Sequence, residues 1–225
     1  ENTEGEYSSI GGKMFPDTDR EIVMQETVMS RIGVDRVLNF AFALAQKTKK
    51  KHLTSATKSN GISITMPYWD ERVEEISKQY QDVEYNKFHI DILCAHFVLN
   101  PQKFNVVVGS NLFGDILTDE ASVISGSMGL MPSASLGTEN ALYEPIHGSF
   151  PEAAGLGIAN PLATILSAAM MLEMSFGLKE EGASIRKAVD KSLSEGIVTK
   201  DLTQNNGRSY STSEVGDYLI KAIKN

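Results

Sequence analysis

Apolar residues recur along the chain at helical and strand periods. Val34, Val37, Leu38, Ala41, Leu44 and Ala45 share one helix face, which predicts a helix over roughly 34–46. Ile62, Met66, Trp69, Val73, Ile76 and Tyr80 alternate spacings of four and three and predict a second helix. Pro67 falls in its first turn, where the missing N–H is tolerated. Ile90, Leu93, Cys94, Phe97 and Val98 mark a third helix, stopped at Asn100-Pro101, and NLFGDILTDE (111–120) opens a fourth. Between them lie β-prone runs: EIVMQETVMS (21–30), LTSAT (53–57), VEYNKF (83–88) and FNVVVGS (104–110), the last with the consecutive valines of a buried strand. Strand and helix alternate, so the fold class is α/β.

The texture changes after about residue 125. GSMGLMPSASLG (126–137) and LYEPIHGSFPEAAGLGIANP (142–161) are rich in small and turn-forming residues and are expected as loops. Asn160-Pro161 has the order of a helix start, with Gly177 as the stop of a helix reaching about Phe176. Further helices are expected near 180–194 and 213–224, the latter with Ser211 and Glu214 at capping-box spacing. KTKKKH (47–52) is a basic loop, read as a solvated connection.

Composition narrows the classes. The chain has 225 residues, 41% hydrophobic and 22% charged, enough for one large domain or two small ones. A net charge of −8 argues against general nucleic-acid or anionic-membrane binding. No apolar run reaches the roughly 18 residues of a transmembrane helix, and no signal peptide is visible. The single cysteine, Cys94, builds no internal disulfide, which points to a reducing, cytoplasmic setting. The first residue is Glu1 rather than Met, so the chain is expected to be part of a longer one.

GLGIAN (155–160) nearly matches the dinucleotide fingerprint, but its third glycine is Asn160 and no strand precedes it. Nucleophile-elbow and Walker motifs are absent, and His52, His89, His96 and His147 lack zinc spacing. What remains is Asp91, Asp115 and Asp119 in apolar contexts, Lys58 past a short strand, Tyr7 in a carboxylate-rich string, and His147 between small-residue loops. Asp115 and Asp119 stand one turn apart on one helix face. Like charges so placed cost an isolated helix about 0.2–0.5 kcal/mol. They form either a solvated face or part of an oxygen-ligand site for a hard divalent ion. Singly, Lys58 reads as a surface lysine and Tyr7 as a packed tyrosine.

ENTEGEY (1–7), ATKSN (56–60), HIDILCAHF (89–97), NLFGDILTDEAS (111–122), PSASLG (132–137) and EPIHGSFPEAAGLGIANP (144–161) occur in the order found in the metal-dependent β-decarboxylating dehydrogenases. The whole chain resembles that family, which includes isocitrate, 3-isopropylmalate, D-malate and tartrate dehydrogenases. The resemblance implies a two-domain, isopropylmalate-dehydrogenase-like α/β fold and an oxidoreductase acting on a small 2-hydroxy acid. Asp115 and Asp119 resemble the metal-binding aspartates of one subunit, and Asp91 the aspartate lent by the other to the same Mg²⁺ or Mn²⁺. Lys58 resembles the catalytic lysine, also lent across a homodimer with a shared active site, and Tyr7 the catalytic tyrosine. Asn60 resembles the asparagine near the nicotinamide. Glu144, His147, Gly148, Ser149 and Asn160 resemble the loop positions that hold the cofactor. Glu152 stands where NAD-using members carry an acidic residue that bonds the ribose hydroxyls and repels a 2′-phosphate, which implies NAD over NADP. Here it is Glu where Asp is commoner, and Phe150 replaces a small residue.

By the same resemblance, residues 1–125 form most of the smaller, dimer-forming catalytic domain, with an interlocking arm near 10–30. Residues 126–225 form the C-terminal share of the larger, cofactor-binding domain. Its N-terminal share, including a substrate arginine just before Glu1, is expected outside the sequence. ENTEGEYSS, MPYWDERV and HIDILCAHF favour the D-malate/tartrate branch, and 126–177 looks more like 3-isopropylmalate dehydrogenase of leucine biosynthesis. A non-catalytic or truncated subunit is the other alternative, against which the joint presence of Tyr7, Lys58, Asp91, Asp115 and Asp119 speaks.

Overall fold

The computed structural model describes residues 2–203 and 207–224, which fall into two units dividing between Ala121 and Ser122. In the first, β1 (Gly11–Met14) and β2 (Ile22–Gln25) form an antiparallel hairpin with Gly11 opposite Gln25. Every residue of both strands is exposed. The strand expected over 21–30 is therefore shorter; beyond it Val28 makes a single bridge to Gly5.

Helix α1 (Arg31–Lys47) begins about a turn before its apolar periodicity, because Ser30 caps it: Ser30 Oγ accepts the Gly33 N–H at 3.0 Å. Next come β3 (His52–Thr57), α2 (Thr65–Ser77), β4 (Glu84–His89), α3 (Ile90–Leu99), β5 (Val106–Val108) and α4 (Asn111–Ile124), each where the spacing of apolar residues predicts it. The strands form a parallel sheet in the order β4-β3-β5.

Alternate side chains of β3 serve opposite faces. Ser55 accepts from Trp69 Nε1 of α2, and Thr57 meets Met66 of the same helix. His52 and Thr54 instead face His96 of α3. Helices α2 and α3 thus cover opposite faces, and the crossovers leaving β3 and β4 run in opposite directions. Such a reversal leaves a crevice at the carboxyl end of the central strand. Trp69, Phe42, Leu38, Leu53, Met66 and Leu93 are fully buried around the sheet.

In the second unit, β6 (Pro132–Leu136) and β7 (Ala141–Pro145) form an antiparallel hairpin with Ser133 opposite Glu144. This corrects the loop expectation for 126–137 and the start of 142–161. Small residues hid the strand: PSASL carries no large apolar side chain until Leu136. Helices α5 (Leu162–Met174), α6 (Lys179–Ser194) and α7 (Thr212–Lys224) pack around Leu162, Ala188, Val189, Val215 and Leu219. Gly177 ends α5 at φ 69°, and the Leu178 N–H closes back on the Leu172 carbonyl at 2.9 Å. The capping box of α7 forms: the Ser211 N–H donates to Glu214 at 2.8 Å, and the Glu214 N–H to Ser211 Oγ at 3.3 Å. Among the described residues, no helix is long and apolar enough to cross a membrane.

Candidate active site

The carboxyl edge of the parallel sheet collects the candidate residues of the first unit. Lys58 directly follows β3, Asp91 lies in the first turn of α3 just past β4, and α4 rises from the end of β5. Lys58 Nζ donates to Asp91 Oδ1 at 2.6 Å, and that bond holds the Asp91 carboxyl below its ordinary range. Past Lys58 the chain turns at once: the Gly61 and Ile62 N–H groups both bond the Lys58 carbonyl, and Asn60 is exposed on the turn.

Helix α4 presents the other cluster. Phe113 and Leu117 are buried, whereas Asp115 and Asp119, offset from them by two residues and so by roughly 200°, are exposed. Asp115 Oδ2 accepts from the Tyr7 hydroxyl at 3.0 Å. The paired aspartates are therefore a solvent-facing stack with a tyrosine on one of them, which explains how apolar surface and like charges share one helix.

The acidic string around Tyr7 does work that its sequence did not announce. Glu4 accepts the Ser30 N–H and hydroxyl, which lowers its pKa and ties the segment to the start of α1. Gly33 makes room for it: a Cβ there would lie 2.5 Å from the Glu4 carboxylate. Glu6 accepts from Ser110 Oγ at 2.7 Å and from the Leu112 N–H at 3.2 Å, placing a carboxylate on the N-terminus of α4, where the helix dipole favours it. Glu6 thereby positions both Tyr7 and the helix that carries Asp115. No sequence spacing could signal a contact across 104 residues.

The structure brings Tyr7 to Asp115, and Lys58 to Asp91, as separate pairs. Among the described residues, no three His, Cys, Asp or Glu side chains gather as a metal site. Asp115 and Asp119 offer hard oxygen donors of the kind a divalent ion takes, and water, substrate or further protein oxygens would fill the rest of its coordination shell.

The candidate cofactor residues lie in the second unit, along the strand and loops from 144 to 160. Glu144 is exposed on β7. His147 Nδ1–H donates to the Gly148 carbonyl at 2.8 Å. Gly148, Ser149 and Glu152 are exposed, and Phe150 is held at φ 43°, ψ 60°, the left-handed region that favours glycine. Asn160 differs. Its Oδ1 accepts the Leu162 N–H at 3.0 Å, just ahead of α5, and its Nδ2 donates to Asp201 at 2.9 Å. Asp201 also accepts from Ser127 and Thr199. Partial burial pushes its pKa up, but these hydrogen bonds outweigh it and hold the carboxyl below its ordinary value. The Asn160 side chain thus also helps to hold the fold, a role its loop context concealed, and Asp201 is a partner that no spacing along the chain singles out.

The chain matches the family profile described as isocitrate/isopropylmalate dehydrogenase over residues 1–219. It is 48% identical to the D-malate dehydrogenase [decarboxylating] of Escherichia coli (strain K12), covering 99% of this chain and 63% of that protein. It is 50% identical to the tartrate dehydrogenase/decarboxylase of Pseudomonas putida, covering 96% and 60%. A 3-isopropylmalate dehydrogenase of Heyndrickxia coagulans is 47% identical over 90% of this chain and 55% of its own length. Among solved structures, the isocitrate dehydrogenase of Methylococcus capsulatus superposes with a TM-score of 0.90 at 34% identity, covering 100% of this chain and 66% of that one. The chain thus spans less than two thirds of the length of these relatives. Sequence and structure agree that it belongs to the isocitrate/isopropylmalate dehydrogenase family.

Proposed function

We propose that the protein catalyses the NAD-dependent oxidative decarboxylation of a 2-hydroxy acid carrying a β-carboxylate, of the D-malate or tartrate class, as a cytoplasmic homodimer. The observation that carries this reading is the sorting of five residues into two groups of complementary chemistry at one sheet edge: Tyr7 on Asp115, with Asp119 a turn away, and Lys58 on Asp91. Each set lacks what the other has. A second copy placing its Lys58 and Asp91 against Tyr7, Asp115 and Asp119 would complete the site. Exposed apolar residues support such a dimer: Ile92, Val98 and Leu99 on α3, Ile116 and Val123 on α4, and Ile22, Val23 and Met24 on the hairpin. The first unit would then be the dimer-forming, catalytic domain and the second the C-terminal part of the cofactor-binding domain.

Asp115 and Asp119, with the partner's Asp91, would hold a Mg²⁺ or Mn²⁺. Asn60, Glu144, His147, Gly148, Ser149 and Asn160 are the proposed cofactor contacts, and Glu152 the residue that selects NAD over NADP by repelling a 2′-phosphate. When bound, the divalent ion supplies Lewis acidity at the substrate's 2-hydroxyl, and NAD supplies the acceptor for the C2 hydride. The partner's Lys58 takes the hydroxyl proton at Nζ. After CO₂ departs, the Tyr7 hydroxyl would deliver its proton to the carbon that lost it, giving up its hydrogen bond to Asp115 as it does so.

The substrate class rests on the resemblance of ENTEGEYSS, MPYWDERV and HIDILCAHF to the D-malate/tartrate branch. NAD reduction by the full-length protein with Mn²⁺ and D-malate, tartrate, 3-isopropylmalate or isocitrate tests it. Turnover greatest with D-malate or tartrate is expected. Preference for 3-isopropylmalate would move the protein to the sister activity, and no turnover with any of the four would refute the reading.

A further inference from the structure

The basic loop 47–52 and two of the histidines play no part in the reaction proposed above, yet they meet at one place. Beneath α3, on the sheet face opposite α2, lies a cavity of ≈ 110 Å³ lined by His52 and Thr54 of β3, Asn86 and Phe88 of β4, His96 of α3, and Lys103 with Phe104. Three of these side chains carry a buried polar atom without a hydrogen-bond partner: His52 Nδ1, Thr54 Oγ1 and His96 Nδ1. Thr54 is fully buried. Buried polar atoms are rarely left unpaired, and three around one cavity point to a shared occupant.

The lining decides its chemistry. Hydroxyl, imidazole, amide and ammonium groups all donate, and no carboxylate or thiol lines the cavity. Glu84, opposite His52 in register, is exposed and outside the lining. A metal ion would find two imidazoles and a nearby lysine charge, a poor set. The rim is basic: Lys103 is exposed there, and Lys50 Nζ bonds the carbonyl of the preceding Gln102 at 2.7 Å. In a chain of net charge −8 this is a local reversal of sign. The space is several times one water's share of liquid volume, about 30 Å³.

We propose that the cavity bounded by His52, Thr54, Asn86, His96 and Lys103 binds a small oxyanion, of phosphate or carboxylate type. The site does not depend on the dehydrogenase reading. Its occupant would join α3 to β3, the two elements that deliver Asp91 and Lys58.

The test follows the ring ¹⁵N signals of histidine in the full-length protein during titration with inorganic phosphate, acetate or chloride at constant ionic strength. The His52 and His96 signals should move saturably with phosphate or acetate, and the stronger arm names the source. Chloride should leave them in place. Thr54→Val, which keeps shape and strand preference, should weaken binding roughly tenfold or more by removing a donor to a charged ligand. Lys103→Ala, at an exposed position that cannot disrupt the fold, should weaken it and flatten its salt dependence. If neither oxyanion moves the two signals, the cavity holds water only and the proposal fails. It fails equally if the signals move but both variants respond like the wild type, since the anion then binds elsewhere.

Discussion

Lys58 and Asp91 lie 2.6 Å apart on neighbouring strand ends of one chain, while Asp115 is engaged by Tyr7. If each site of a dimer draws Tyr7 and Asp115 from one copy and Lys58 and Asp91 from the other, inactive variants should complement. Lys58→Ala and Asp115→Asn, each inactive alone, should recover about one quarter of wild-type activity when unfolded and refolded together, because half of randomly assorted dimers are mixed and each carries one intact site. A site built within one chain gives no recovery.

Asp115→Asn separates the electrostatics of the helix from those of the site. The stack with Asp119 is exposed, so removing one charge should leave metal-free stability unchanged or raise it by about 0.2–0.5 kcal/mol. Stabilisation by added Mn²⁺, strong in the wild type, should be largely lost. Thermal unfolding with and without Mn²⁺ measures both. An unchanged Mn²⁺ effect would return the stack to a solvated face.

Asp201 predicts a pH dependence. Its carboxyl is held below the ordinary value by Thr199, Asn160 and Ser127, after overcoming partial burial. A depressed carboxyl contributes stability that is present above the unfolded pKa, near 4, and is lost as pH falls through the folded value. Asp201→Asn should cost about 1 kcal/mol at pH 6. The gap between wild type and variant should close as the pH is brought to 3 and below. Urea midpoints for the two proteins across that range are the measurement; a gap independent of pH would mean that the network does not depend on the charge.

Cys94 should be a poor nucleophile. Burial and the Glu120 carboxylate push its thiol up to about 11, so at pH 8 only about one molecule in a thousand carries the thiolate. Alkylation by iodoacetamide should be slow in the native protein at pH 8, and Glu120→Gln should quicken it. Native alkylation as fast as in urea would contradict this.

The parallel sheet and its helices were legible because each is a local pattern: four-and-three spacing around Trp69, three valines before α4, turn residues between. The β6–β7 hairpin was not, because PSASL carries its strand geometry without large apolar side chains. At the site, the residue types and their order pointed to Tyr7, Lys58, Asp91, Asp115 and Asp119. Glu6 on α4, Glu4 on Ser30 and Asp201 on Asn160 stayed hidden. Each joins segments between 26 and 106 residues apart, and such pairings leave no trace in spacing.

A two-stranded hairpin with both faces in water is at best marginally stable by itself. Within the chain, Gln25 Nε2 ties the β1–β2 hairpin to the Glu6 and Ser8 carbonyls, and in the proposed dimer a second copy would cover Ile22, Val23 and Met24. The parallel sheet, closed by strands and helices that follow one another along the chain, has no such dependence. In that dimer, maturation would have two stages of different molecularity: a first-order stage that closes the sheet, and a second-order stage that sets the hairpin. The yield of finished enzyme would depend on how often newly made chains meet.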